Sequence, residues 1–199
     1  MKRRTLDIIF SVGGLLVAAL ILVLGLVLQN QANFAKNYVH DQLAAQQITF
    51  TPADKLAPDT QAACLISNGG QPLVTGKQAE CYANNYIAVH LTATDDGKTY
   101  SQASNDNQTL QAQLKADPTN ADLIAQQKAV SGKVDTLFKG ETLRGLLLTS
   151  YGFSIFGERA GQAALVCFLV AGVLFLASIA GFIHAFTTDK EKKVLVAEG

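Results

Sequence analysis

Hydrophobic residues in this chain are gathered into two long runs rather than spread at one-face spacing. The first goes from Ile8 to Ala35 without a charged side chain, and its centre, Val12 to Leu28, is apolar apart from glycines. As a helix, Ile8 to Leu28 rises about 31 Å at 1.5 Å per residue, which matches a hydrocarbon core about 30 Å thick. The second run goes from Ala160 to Thr188, with its apolar heart from Ala163 to Ile183. An Asp, Lys or Arg at mid-bilayer costs about 2.5–3.5 kcal/mol, so the absence of such residues from both runs carries weight. Helices satisfy their own backbone polar groups in lipid. The pattern predicts an all-α membrane protein with transmembrane helices at 8–29 and 160–186. These flank a mainly helical extracytoplasmic domain at 30–159, with cytoplasmic segments at 1–7 and 187–199.

A secretory signal is the competing reading of the first run. Its apolar stretch exceeds the usual 7–15 residues and no small-x-small cleavage site follows Leu28, so it is expected to stay as an anchor. Lys2, Arg3 and Arg4 precede the first span and Lys190, Lys192 and Lys193 follow the second; Lys36 and Arg159 flank the intervening segment more sparsely. Positive residues collect on the cytoplasmic side, which predicts both termini inside.

Between the spans the periodicity is helical. Phe34, Tyr38 and Gln42 or Leu43 continue the first helix to about Gln47, and Thr51-Pro52 opens a short turn. Thr75 and Gln78 form a capping-box pattern, followed at helical spacing by Ala79, Tyr82 and either Tyr86 with Val89 or Ile87 with Leu91. Asp95-Asp96-Gly97 and Ser104-Asn105-Asp106-Asn107 read as breaks. Leu110 and Leu114 support a short helix, and Asp117-Pro118 starts a longer one through Leu123, Val130, Val134 and Leu137. Pro72 to Thr75 is the best strand candidate. Residues 143–156 are strongly apolar but too short to cross. They read either as an interfacial helix with Tyr151, Phe153 and Phe156 at headgroup depth or as a core helix of the outer domain, with Gly157-Glu158-Arg159 separating them from the second span.

Charge and composition narrow the chemistry. The net charge is +0 and only 16% of residues are charged, so nothing favours phosphate neutralisation and nucleic acid is not an expected partner. Cys64 and Cys81 are the two cysteines between the spans. In an oxidising compartment such a pair forms a disulfide, worth about 3 kcal/mol in the chain-entropy model, with two buried thiols as the alternative. Cys167, within the second span, reads as a small apolar residue. His40, His90 and His184 are the only histidines. His40 and His90 with Asp41 could be drawn as a two-histidine, one-carboxylate iron site, but their spacing does not favour it over packing histidines. No nucleophile elbow or phosphate loop is present, Asn107-Gln108-Thr109 is a bare sequon, and no cofactor is expected. Gly14 with Ala18 and Ala177 with Gly181 are small pairs four apart that let helices approach closely, either within the protein's own pair of spans or against other membrane proteins.

The segment from His40 to Gln46, with Ile48, Phe50, Pro52 and Ala53, resembles the region after the first span in an uncharacterised family of actinobacterial two-pass membrane proteins. So do Tyr82-Ala83, Ile87 to Leu91, Thr99-Tyr100 and, most specifically, Leu137 to Leu148. Some members are labelled as aromatic ring-opening dioxygenase subunits, chemistry that requires an iron site and a substrate pocket not legible in these residues. The resemblance implies a cell-membrane address. With no catalytic signature, the expected function is a non-enzymatic accessory or structural subunit of a larger membrane assembly, a respiratory supercomplex being one concrete form. Its expected partners are lipids and other membrane or extracytoplasmic proteins. The alternatives are an extracytoplasmic ligand- or lipid-binding module and an enzyme with an unrecognised site.

Overall fold

A computed structural model describes residues 2–189; Lys190, Lys192 and Lys193, which bear on orientation, lie outside the described residues. Helix α1 spans Arg3–Ala45, α2 Ala63–Ser67, α3 Gly76–Tyr82, α4 Ala88–Thr94, α5 Tyr100–Ala116 and α6 Ala121–Thr187. Short 3-10 turns occupy Ala53–Lys55 and Pro58–Thr60, and a π-helical turn, Ala83–Ile87, joins α3 to α4. No strand occurs among the described residues. The candidate at Pro72 to Thr75 is reduced to an isolated antiparallel bridge between Thr49 and Pro72. The chain divides into two compact units, one made of Met1–Lys36 and Phe156–Gly199, the other of Asn37–Ile155.

In the first unit, the amino-terminal part of α1 packs antiparallel on the carboxy-terminal part of α6. Both helices are long and apolar enough to cross a membrane, yet only 17% of the most apolar window of each is buried. What is buried is small. On α6, Gly157, Ala164, Ala171, Ser178 and Ala185 are all buried and recur every seventh residue. On α1, Ser11, Ala18 and Gly25 do the same, with Ala32 partly buried next in the series. A seven-residue repeat is the geometry of a left-handed coiled coil, and small side chains on it let two backbones come close. A β-carbon at Gly14 would lie 2.6 Å from Ser178 Oγ, and one at Gly157 would lie 2.7 Å from Ala35 Cβ. At Gly25 it would lie 2.7 Å from the Phe168 ring, and Gly181 lies against Ser11. The large side chains point the other way: Phe10, Leu16, Leu20, Leu165, Leu169, Leu176 and Phe186 are all exposed. At one end of the seam His184 Nδ1 pairs with Asp7 Oδ2 at 2.9 Å, and Arg4 sits over the Phe186 ring.

The second unit has an ordinary core of large residues. Val39 and Leu43 of α1, Leu137 and Leu147 of α6, and Phe50, Leu65, Leu73, Ile87 and Leu91 form one buried cluster. Leu73 N donates to Ile48 O and Phe50 N to Gln71 O, so the bridge region seats Phe50 and Leu73 side by side in that core. Along α3 and α4, Ala79, Ala83, Ile87 and Leu91 are buried, one every four residues. That spacing drifts around an α-helix of 3.6 residues per turn, and the wider π turn takes up part of the drift. Ile87 and Leu91 therefore face the core, and Val89 is only partly buried.

Two expected helix breaks, at Ser104 to Asn107 and at Gly157-Glu158-Arg159, are absent. Ser104 to Asn107 lie inside α5, because a second capping box at Thr99 and Gln102 starts that helix. These polar residues are absorbed by partners, Asp106 by Lys98 at 2.8 Å and Asn107 by Gln127 at 3.2 Å. Helix α6 starts after Asp117-Pro118, with Asn120 Oδ1 accepting from Asp122 N and Leu123 N as an N-cap. It then continues without interruption, so residues 143–156 are no separate helix and Gly157-Glu158-Arg159 is no break. Gly157 is used for close packing, and the charges of Glu158 and Arg159 stay on the exposed side.

Candidate functional site

The most built polar feature of the second unit is a groove of about 440 Å³ between α2 and α3, with the Cys64–Cys81 disulfide in its lining. The disulfide joins residues 17 apart in sequence with Cα atoms 6.1 Å apart. Cys81 is buried and Cys64 partly so. Hydrogen bonds fix the same two helices to each other. Thr75 and Gln78 make the full capping box at the start of α3. Gln78 Nε2 then donates to Asn68 Oδ1 at 3.1 Å, and Asn68 Nδ2 donates to Cys64 O at 2.8 Å. The end of α2 is thus tied to the start of α3 by amides as well as by sulfur.

Two asparagines from the π turn complete the lining. Asn85 Nδ2 donates to Cys81 O at 3.1 Å and to Cys64 Sγ at 3.4 Å. Asn84 Oδ1 accepts from Arg144 NH2 at 3.4 Å, and Arg144 NH1 also reaches Glu141 at 3.3 Å. The Arg144 Nε is buried without a partner. Lys77 lies along the same groove, donating to the Tyr151 hydroxyl at 3.2 Å and to Glu80 at 3.4 Å, with its ammonium 4.8 Å from the Tyr151 ring centroid. The Tyr151 hydroxyl is the main reason the Lys77 pKa stands above that of a free lysine; desolvation opposes it and Glu80 adds to it. Each cation has a carboxylate beside it, so the lining is close to neutral.

An aromatic file runs outward from the core at Phe50 to the exposed His90. Phe50 meets Tyr82 edge-on at 5.3 Å, Tyr82 stacks on Tyr86 at 4.7 Å, and Tyr86 lies against His90 at 4.4 Å. Burial, and next the neighbouring Tyr86, raises the Tyr82 pKa above its usual 10.0. His90 Nδ1 is 2.8 Å from Tyr86 O. A carbonyl only accepts, so this contact calls for a proton on Nδ1, on a ring that is otherwise exposed. His40 instead pairs with its neighbour Asp41 at 3.1 Å on an exposed face. Among the described residues no group of three or more His, Cys, Asp or Glu could hold a metal ion.

The remaining sequence candidates fall in different places. Gly14, Ala18 and Gly181 lie on the small-residue seam, while Ala177 is exposed and off it. The seven-residue series on α6 is the packing signal that reading pairs four apart misses. An apolar cleft of about 420 Å³ opens beside the seam at Ala18 and Ala171, walled by Leu22, Phe168 and Phe175. Cys167 is a free thiol near Gly25. Tyr151 is engaged by Lys77, Phe153 packs edge-on against Tyr38 at 5.7 Å, and Phe156 is 75% exposed. Sequence reading did not single out Lys77, Asn84, Asn85 and Arg144. Their only early signal is the run Asn84-Asn85 within an otherwise apolar helical pattern. No protein-family model, no curated protein and no solved structure matches this chain, so the reading of its site rests on its own residues.

Proposed function

We propose that this protein is a two-span protein of the cell membrane that works by association, as an accessory subunit of a larger membrane assembly, rather than by catalysis. Both termini lie in the cytoplasm, and the Cys64–Cys81 domain stands on the oxidising, extracytoplasmic side. One observation carries the reading. The paired helices bury glycine, alanine and serine against each other and turn their Leu, Val and Phe side chains outward. In water that arrangement would expose a very large apolar surface; in a bilayer, lipid tails and other helices cover it at no such cost. The disulfide supports the placement of the domain, since such bonds persist outside the reducing cytosol. The flanking basic residues Lys2, Arg3 and Arg4 support the orientation. The resemblance to actinobacterial two-pass proteins agrees with this address.

Purification in a mild detergent followed by mass spectrometry of the native particle tests the association. Reproducible companions in fixed ratio are expected, and a strictly monomeric particle without companions overturns the reading. Labelling of intact cells with an impermeant amine reagent tests the topology separately. Lys115 is expected to react in intact cells, and reaction only after lysis overturns the orientation.

A further inference from the structure

We propose that the groove over the disulfide is a binding site for a small polar ligand bearing a secondary amide, with Asn84 Nδ2 as the donor and Asn85 Oδ1 as the acceptor that recognise it. The argument starts from carboxamide orientation, which is set by partners of fixed polarity. Arg144 can only donate, so the atom of Asn84 that it meets at 3.4 Å is the oxygen. That leaves the Asn84 amino group uncommitted. The carbonyl of Cys81 can only accept, so the atom of Asn85 that it meets at 3.1 Å is the nitrogen. A second acceptor, Cys64 Sγ, holds the same nitrogen at 3.4 Å. That leaves the Asn85 oxygen uncommitted.

Two neighbouring lining residues therefore offer one donor and one acceptor, the other end of each carboxamide being held by a separate bond to the framework. They come from the π turn, a local widening of the helix that often marks functional segments. A secondary amide carries one C=O and one N–H on opposite edges, the acceptor that Asn84 Nδ2 needs and the donor that Asn85 Oδ1 needs, so it fits when it lies between the two side chains. Because Lys77 is already paired with Glu80 and Tyr151, the groove does not select for net charge. Its volume of about 440 Å³ falls in the usual range for small-ligand sites, about 300–1,000 Å³. The amide could belong to an N-acylated sugar or to a short peptide, and both present the same chemistry to the asparagines.

The test uses the full chain in detergent or nanodiscs, with ligand-observed NMR and calorimetry. The probes are diacetylchitobiose, an N-acetylated triglycine and cellobiose, which lacks the amide. At least one amide probe is expected to bind ten-fold or more tighter than cellobiose, and preference between the two identifies the source of the amide. Asn84→Ala, at an exposed position, is expected to weaken that binding at least ten-fold with an unchanged melting temperature. Arg144→Met, which frees Asn84 to turn, is expected to weaken it several-fold while Asn84 remains. Equal binding of cellobiose, absence of binding by both amide probes, or full retention of affinity in Asn84→Ala would each overturn the proposal.

Discussion

The two units of this protein use α1 and α6 in opposite ways. Between Ser11 and Val27, and again between Ala164 and Ile183, the most buried positions are glycine, alanine and serine and the exposed ones are mostly large and apolar. In the stretches that belong to the other unit, the same two helices turn Val39, Leu43, Leu137 and Leu147 inward. Stability in water comes from removing large apolar side chains from solvent. In lipid that gain vanishes and close backbone packing takes its place. One helix can obey both rules in succession, because the choice is made residue by residue along its length.

That contrast can be broken by substitution. The largest effect is expected from Phe50→Ala, which empties a fully buried site among Leu73, Tyr82 and their neighbours and should cost about 3–5 kcal/mol, read by thermal or denaturant unfolding of the purified chain. The reciprocal change, Leu16→Ala on the outward face of α1, should stay within about 0.5 kcal/mol. If Leu16→Ala costs as much as Phe50→Ala, the outward face is buried against something and the comparison fails. Replacing both Cys64 and Cys81 by serine should cost about 3 kcal/mol and lower the unfolding midpoint of the disulfide domain, without weakening the seam between the two apolar helices.

Smaller effects sharpen the same contrast. Gly157→Leu drives a side chain into Ala35 and the Ala32 carbonyl, overpacking expected to cost about 1–3 kcal/mol. Engineered cysteines at Ala18 and Ala171 report it as reduced cross-linking across the seam. Thr99→Ala removes the capping box of α5 and should cost about 1 kcal/mol, seen as faster hydrogen exchange in that helix alone. The smallest effect is alkaline. Tyr82 ionises above its usual 10.0 because burial penalises the phenolate, so the unfolded chain loses that proton first. The stability it supplies is complete below pH 10 and falls as pH rises through the folded value. A phenolate absorbance titration should show a late component that Tyr82→Phe removes.

The sequence was most readable where local rules suffice. The Thr75–Gln78 capping box and the end of the following helix before Asp95-Asp96-Gly97 are as the local pattern implies, since both are set within a few residues. The pairing of Cys64 with Cys81 was open to inference because no other cysteine lies between the two apolar runs. The polar run at Ser104 to Asn107 misled, because its side chains find partners on Lys98 and Gln127 that composition does not reveal. Small residues four apart pointed to close packing, but Ala177 faces away, and the seven-residue series through Gly157, Ala164 and Ala171 defines the seam.

By itself, then, the order of residues determined two helices with the length and apolarity to cross a membrane, the mainly helical character of the intervening segment, and a cysteine pair able to staple it. Those properties follow from charge, periodicity and capping, which act over one or two turns. Only the tertiary structure decided which faces of the long helices meet and that α6 passes through Gly157 unbroken. It also decided that Lys77 meets Tyr151, 74 residues away, and that Asn84 and Asn85 are held in fixed senses by Arg144 and Cys81. Contacts between distant residues depend on how whole elements pack, and a local pattern holds no record of the partner that will arrive.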